Sequence, residues 1–133
     1  MDESGFWRYL QKGMGARWKA ERVENRLAAG FPDVFFTIGP IHGLVELKYL
    51  PKKRKTITIG HFTDEQRAFS FRHKTPILIQ IEDEYLLFGH DHSLILGKGQ
   101  TLSDHRSWAL ARWEKRIDFD HLAQFLSAES NKE

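Results

Sequence analysis

The chain predicts an α/β fold with a mixed β-sheet at its centre, and three observations carry that prediction. Val34 to Ile38 and residues 44–49 are β-branched and aromatic runs separated by the turn residues Gly39-Pro40 and His42-Gly43, the pattern of a hairpin. Thr63-Asp64-Glu65-Gln66 has the form of a capping box that opens a helix, and Thr75-Pro76 then restarts extended chain at Ile77. Apolar residues at helical spacing flank these elements on both sides. Helix, strands, helix, strands and helices in that order make an α/β arrangement.

Taken in order, Phe6, Trp7, Tyr9 and Leu10 ahead of Gly13-Met14-Gly15 predict a short amphipathic helix packed on the body. Ala16, Ala20, Val23 and Leu27 repeat at helical spacing and Gly30 suits a helix C-terminus, which predicts a first long helix over residues 16–27. On that helix Glu24 borders the Ala20/Leu27 stripe and Glu21 turns toward solvent. After the hairpin, residues 56–59 alternate polar and apolar as a third strand does, and Gly60-His61 ends it. The capped helix, with Phe62, Phe69 and Phe71 as its apolar residues, runs to about Arg72.

Residues 77–81, 85–88 and 93–96 read as three short strands, broken by Glu82-Asp83-Glu84 and Gly89-His90-Asp91-His92. The remainder reads as helical, with Leu102, Trp108, Leu110 and Trp113, then a last helix capped by Asp118 and carrying Phe119, Leu122, Phe125 and Leu126. Residues 127–133 read as a frayed tail. The expectation is one domain over 1–133, with a core over about 16–100 and a helical C-terminal region over 101–127.

At 133 residues, 41% hydrophobic and 29% charged, the composition is that of an ordinary globular protein. No apolar run is long enough for a membrane span and the first residues lack the pattern of a signal peptide, so a soluble, intracellular, cytoplasmic protein is expected. With no cysteine, disulfides and thiolate zinc sites are excluded. A net charge of +2 does not by itself identify a nucleic-acid partner. Local clustering says more, because Lys48, Lys52, Lys53, Arg54 and Lys55 crowd positive charge where a loop could track phosphates.

The hairpin carries the chemistry. Side chains alternate along a strand, so Glu46 and Lys48 share one face while Val45 and Leu47 point to the core. Asp33 stands at the mouth of the partner strand, where antiparallel pairing brings its carboxylate near that of Glu46. Two carboxylates at one spot repel unless a cation lies between them, and hard oxygen ligands suit Mg²⁺ or Mn²⁺.

Glu24, Asp33 after Pro32, and Glu46-Leu47-Lys48 together resemble the PD-(D/E)xK nuclease superfamily. More narrowly, Arg22-Val23-Glu24-Asn25, Gly30-Phe31-Pro32-Asp33-Val34 and Glu46-Leu47-Lys48-Tyr49 look like the small phage-type VRR-NUC proteins, and the likeness extends to Gln66. It covers roughly residues 17–88. The resemblance implies a restriction-endonuclease-like core, a Mg²⁺- or Mn²⁺-dependent endonuclease acting on DNA, branched or structured DNA as its substrate, a homodimer, and a phage or prophage source. It further implies Asp33 and Glu46 as principal metal ligands, with the Leu47 carbonyl completing the shell and Glu24 binding a second metal or orienting a water. Lys48 would position or help deprotonate the attacking water and stabilise developing charge, and Gln66 would contact the water or a phosphate.

The basic loop, Lys52, Lys53, Arg54 and Lys55, is the expected DNA contact. The runner-up function is a nucleic-acid-binding accessory domain of the same fold that has lost catalysis. The residues leave open DNA against RNA, one metal against two, and whether Glu21 takes the place of Glu24. His90-Asp91-His92 has a spacing compatible with zinc but falls in a predicted turn; His42 and His61 flank the centre at loop positions. Trp108 and Trp113 are candidates to stack on bases, and their region and the aromatic N-terminal segment are the candidate dimer surfaces. Gly97-Lys98-Gly99 reads as a turn rather than a phosphate loop, and no organic cofactor is expected.

Overall fold

The computed structural model describes residues 3–15, 18–23 and 33–130. Its elements are α1 (Glu3–Met14), β1 (Trp18–Arg22), β2 (Val34–Ile38), β3 (Ile41–Leu50), β4 (Thr56–Thr58), α2 (Asp64–Arg72), β5 (Ile77–Ile81), β6 (Glu84–Phe88), β7 (Lys98–Thr101), α3 (Leu102–Trp108), β8 (Ala111–Glu114) and α4 (Phe119–Ser130). The main sheet is six-stranded in the order β1-β2-β3-β5-β6-β8, and β4 and β7 form a separate two-stranded ribbon. All pairings are antiparallel except β3 with β5, so the mixed sheet of the expected α/β class is present, with helices on both faces.

Alternation along the strands divides the core in two. Val34, Phe36, Val45, Leu47, Leu78, Tyr85 and Leu87 pack on one face beneath Phe6 and Leu10 of α1 and Leu122 and Leu126 of α4. Ile77, Ile79, Ile81, Leu86 and Phe88 pack on the other beneath Ile57 of β4, Phe62 and Leu96. Because β3 and β5 lie side by side in the centre of the sheet, covered on both faces, residues 45–48 of β3 and all of β5 are buried irrespective of parity.

Several elements depart from the sequence expectation. Trp18–Arg22 is a strand, not the start of a long helix; Trp18 is buried and Ala20 half-buried while Lys19 and Glu21 are exposed, so period two competes with period four, and pairing with the edge of β2 decides it. Residues 24–27 of the expected helix, and Gly30, lie outside the described residues. Residues 56–58 leave the sheet because β5 takes the place beside β3, starting with the Glu46 N–H that donates to the Pro76 carbonyl.

Residues 93–96 form turns, since the Arg67 guanidinium, itself buried, takes the Ser93 and Leu96 carbonyls that a strand would have offered to a neighbour. Lys98, expected in a turn, begins β7. The expected helical region from 101 is interrupted by β8, where Trp113 enters one core face and Arg112 the other. The last helix runs through Ser130, past the expected frayed tail from residue 127, and Asp118 caps it by accepting from the His121 N–H.

Glu84 anchors β8 and α3 to the sheet. Its fully buried carboxylate accepts from Arg106 Nε at 2.9 Å and Nη2 at 2.7 Å and from Arg112 Nε at 2.8 Å. Burial pushes this carboxyl up, but Arg106 first, then Arg112 and Lys53, outweigh it and hold the group below the usual range. Its stabilising charge is therefore present above about pH 4.5 and is lost as the pH falls through the lowered folded value. Glu84→Ala removes the acceptor shared by both guanidinium groups and is expected to cost about 3 kcal/mol, read as a lower urea midpoint at unchanged slope. A midpoint within error of the parent protein would show the network to be idle.

Candidate metal centre

The hairpin register builds the site. Val34 pairs with Val45, so one further step of the antiparallel ladder sets Asp33 beside Glu46. The Leu47 N–H donates to Asp33 Oδ2 at 3.3 Å, which fixes that carboxylate against β3. On the other side Glu46 pairs with Ile77 and Lys48 with Ile79 in the parallel ladder, so both polar side chains stand on an otherwise apolar face. Glu46 is 0% and Lys48 2% exposed. The faces are as the sequence requires, with Val45 and Leu47 in the opposite core.

Burial foremost, and then the charge of Asp33, raise the Glu46 carboxyl to about 9, against an opposing pull from Lys48. Lys48 Nζ lies 3.2 Å from Glu46 Oε1, yet neither oxygen of Glu46 has a partner in hydrogen-bonding geometry. The same ammonium donates to the His61 carbonyl at 3.1 Å and to Gln66 Oε1 at 3.0 Å, and sits 5.2 Å from the centre of the Phe62 ring. Gln66 can hold it because the capping box locks its side chain, whose Oε1 also accepts from the Thr63 N–H while the Thr63 hydroxyl accepts from the Gln66 N–H. Sequence reasoning placed Gln66 at the site but toward water or phosphate; its carbonyl oxygen is used on Lys48.

Asp33, Glu46, Leu47, Lys48 and Gln66 are thus brought together, and Glu24 lies outside the described residues. Glu21 is exposed on β1, paired with Phe35 on the same sheet face as Glu46 but two strands away. An oxygen-coordinated divalent cation fits this donor set: the side-chain acids of Asp33 and Glu46 lie side by side, and the buried one accepts no hydrogen bond in good geometry. Among the described residues no cluster of three or more His, Cys, Asp or Glu side chains could hold a metal.

The basic loop divides. Lys52, Arg54 and Lys55 are exposed and have no ion-pair partner among the described residues, whereas Lys53 Nζ pairs with Asp83 Oδ1 at 2.7 Å. His61 contributes its carbonyl to Lys48, and exposed His42 lies with its ring 6.0 Å from that of Phe35. His90–His92 is a short 3-10 turn in which His92 stacks on Trp108, so the zinc spacing serves packing. Trp113 is buried in one core, and Trp108 is half-buried against the other with His92 stacked on it. In the N-terminal segment Phe6 and Leu10 are buried in the core, and Trp7 and Tyr9 are half-buried against it. Arg67, which ties the residue 93–96 turns to the helix bearing Gln66, was not singled out from the sequence; its place immediately after Gln66 in a capped helix was the available signal.

Among solved structures the chain is similar to Hjc, a Holliday junction resolvase from the archaeal hyperthermophile Archaeoglobus fulgidus. The TM-score is 0.48 at 15% identity, over 79% of this chain and 89% of that one. A likeness of that size transfers no residue role. No protein-family model and no curated protein matches the chain. Among the described residues no helix is long and apolar enough to cross a membrane.

Proposed function

We propose that this protein is a metal-dependent endonuclease of the restriction-endonuclease-like class, hydrolysing phosphodiester bonds of DNA at the Asp33/Glu46/Lys48 centre. The observation that carries the reading is Glu46, a fully buried acid beside a second carboxylate, its carboxyl raised to about 9 despite Lys48 at 3.2 Å. Such a group weakens the fold and is explained by a ligand that needs it. A binding module that only holds a polyanion has no use for two acids where the phosphate must approach.

Asp33 and Glu46 would hold a divalent cation, which when bound would supply the Lewis-acid chemistry that phosphodiester hydrolysis needs. Leu47 contributes backbone to the same corner, its N–H orienting Asp33. Lys48, held by the His61 carbonyl and Gln66 with its Nζ 3.2 Å from Glu46 Oε1, is placed to meet a phosphate oxygen or attacking water once Glu46 is otherwise engaged. Gln66 positions Lys48 and does not titrate. Branched DNA as substrate, a homodimer and a phage source remain the expectations of the VRR-NUC resemblance.

The test is cleavage of labelled duplex, flap, single-stranded and four-way-junction DNA with Mg²⁺, Mn²⁺ or EDTA. Cutting is expected with either metal and not with EDTA, the junction or flap being preferred. Salt-sensitive binding without cutting in any metal would transfer the assignment to the accessory-domain alternative.

A further inference from the structure

The outer face of the β4–β7 ribbon collects positive charge that is scattered in the sequence. Thr56 and Thr58 are exposed on β4 while Ile57 between them is buried. Lys98 is the cross-strand partner of Thr58, and partners in a ladder share a face. Lys52 and Arg54 join Thr56 and Thr58 around a groove of about 250 Å³ whose other walls are Leu50, Pro51 and Ile57. Lys52, Arg54 and Lys98 are exposed and make no ion pair among the described residues.

Lys53 lies between two of these residues in sequence but is turned away from them. Its Nζ is 2.7 Å from Asp83 Oδ1 and 3.5 Å from Glu84 Oε1, and its N–H donates to Glu82 Oε1 at 3.4 Å. The Glu82 N–H in turn donates to the Leu50 carbonyl at 2.8 Å, so the acidic turn between β5 and β6 grips the loop at its start and its middle.

We propose that this face binds backbone phosphates flanking the one at the metal centre, with Lys52, Arg54 and Lys98 as contacts and Lys53 as the residue that positions them. The proposal rests on the nuclease reading. Cations and hydroxyl donors without acidic partners match a phosphodiester chain, and a guanidinium can grasp phosphate in two-pronged fashion. Leu50, on the groove wall, is two residues along β3 from Lys48, a rise of about 7 Å, so one nucleic-acid backbone spans both places.

The experiment is an anisotropy titration of labelled four-way-junction DNA in Ca²⁺ over a KCl series, alongside the cleavage assay of the parent protein. Lys52→Gln, Arg54→Gln and Lys98→Gln are each expected to lower the slope of log affinity against log salt by about one. Lys53→Asp is expected to weaken binding, and the exchange Lys53→Asp with Asp83→Lys to restore it, which a phosphate contact by Lys53 would not allow. Unchanged slopes in the three glutamine variants, with a parent that binds and cuts, overturn the platform and leave the nuclease reading intact. A parent that neither binds nor cuts overturns both, and an exchange that fails to restore binding overturns the role of Lys53.

Discussion

Glu46→Gln is expected to stabilise the metal-free protein at neutral and alkaline pH while abolishing metal-dependent cleavage. In the fold this carboxyl titrates near 9, against an ordinary value of 4.5, because burial and then Asp33 disfavour its charge. Between those values the folded chain keeps a proton that the unfolded chain has released. Stability is therefore full below about pH 4.5 and falls as the pH rises through 9. Glutamine cannot ionise and escapes that loss.

The two proteins should melt together near pH 4.5 and diverge steadily above it, the variant gaining on the order of 5 kcal/mol by pH 8. Added Mn²⁺ should raise the melting temperature of the parent protein and not of the variant, and calorimetry in buffers of different ionisation enthalpy should show proton release on metal binding at pH 7. Parallel melting curves across the pH range, or equal stabilisation of both proteins by Mn²⁺, would remove Glu46 as the metal-linked acid. A destabilised active-site residue of this kind is the usual form of a trade between stability and activity.

The second large effect is on Lys48. Its ammonium is buried and accepted by the His61 carbonyl and Gln66 Oε1, so the position is set before any substrate arrives. Lys48→Ala is expected to lower the cleavage rate by about 10³-fold, the range for loss of a positioned charge and proton donor at a phosphoryl centre. The carboxylates remain, so Mn²⁺ should still raise the melting temperature. The variant loses the ammonium's hydrogen bonds to the His61 carbonyl and to Gln66 Oε1, which keeps the Thr63 N–H, at a cost of about 1 kcal/mol, and the assay temperature should lie well below its melting point. Cleavage within tenfold of the parent protein would show that Lys48 serves the fold and not the chemistry.

The centre was legible in the sequence where its logic is local. Alternation places Glu46 and Lys48 on one face and Val45 and Leu47 on the other, the turn residues Gly39-Pro40 announce the hairpin that brings Asp33 alongside, although His42 and Gly43, expected in the turn, pair with Thr37 and Phe36 in β3, and Thr63 with Gln66 writes its own capping box. These features depend on neighbours within a few residues, and no distant partner can reverse them.

What pairing partners decide was not legible. Trp18 to Arg22 suits either period, and only the open edge of β2 makes it a strand; residues 93–96 look like a strand until Arg67 takes their carbonyls. The burial of Glu46, and with it the raised carboxyl, comes from Ile77 arriving in a parallel ladder and from the apolar layer above it. By itself the sequence determined the strand faces, the turns and the helix cap, because backbone geometry and short-range hydrogen bonds act within a few residues. The tertiary structure alone decided which edges pair, which acids lose their water and which lysines are left free, because those depend on surfaces that meet only after the chain has closed on itself.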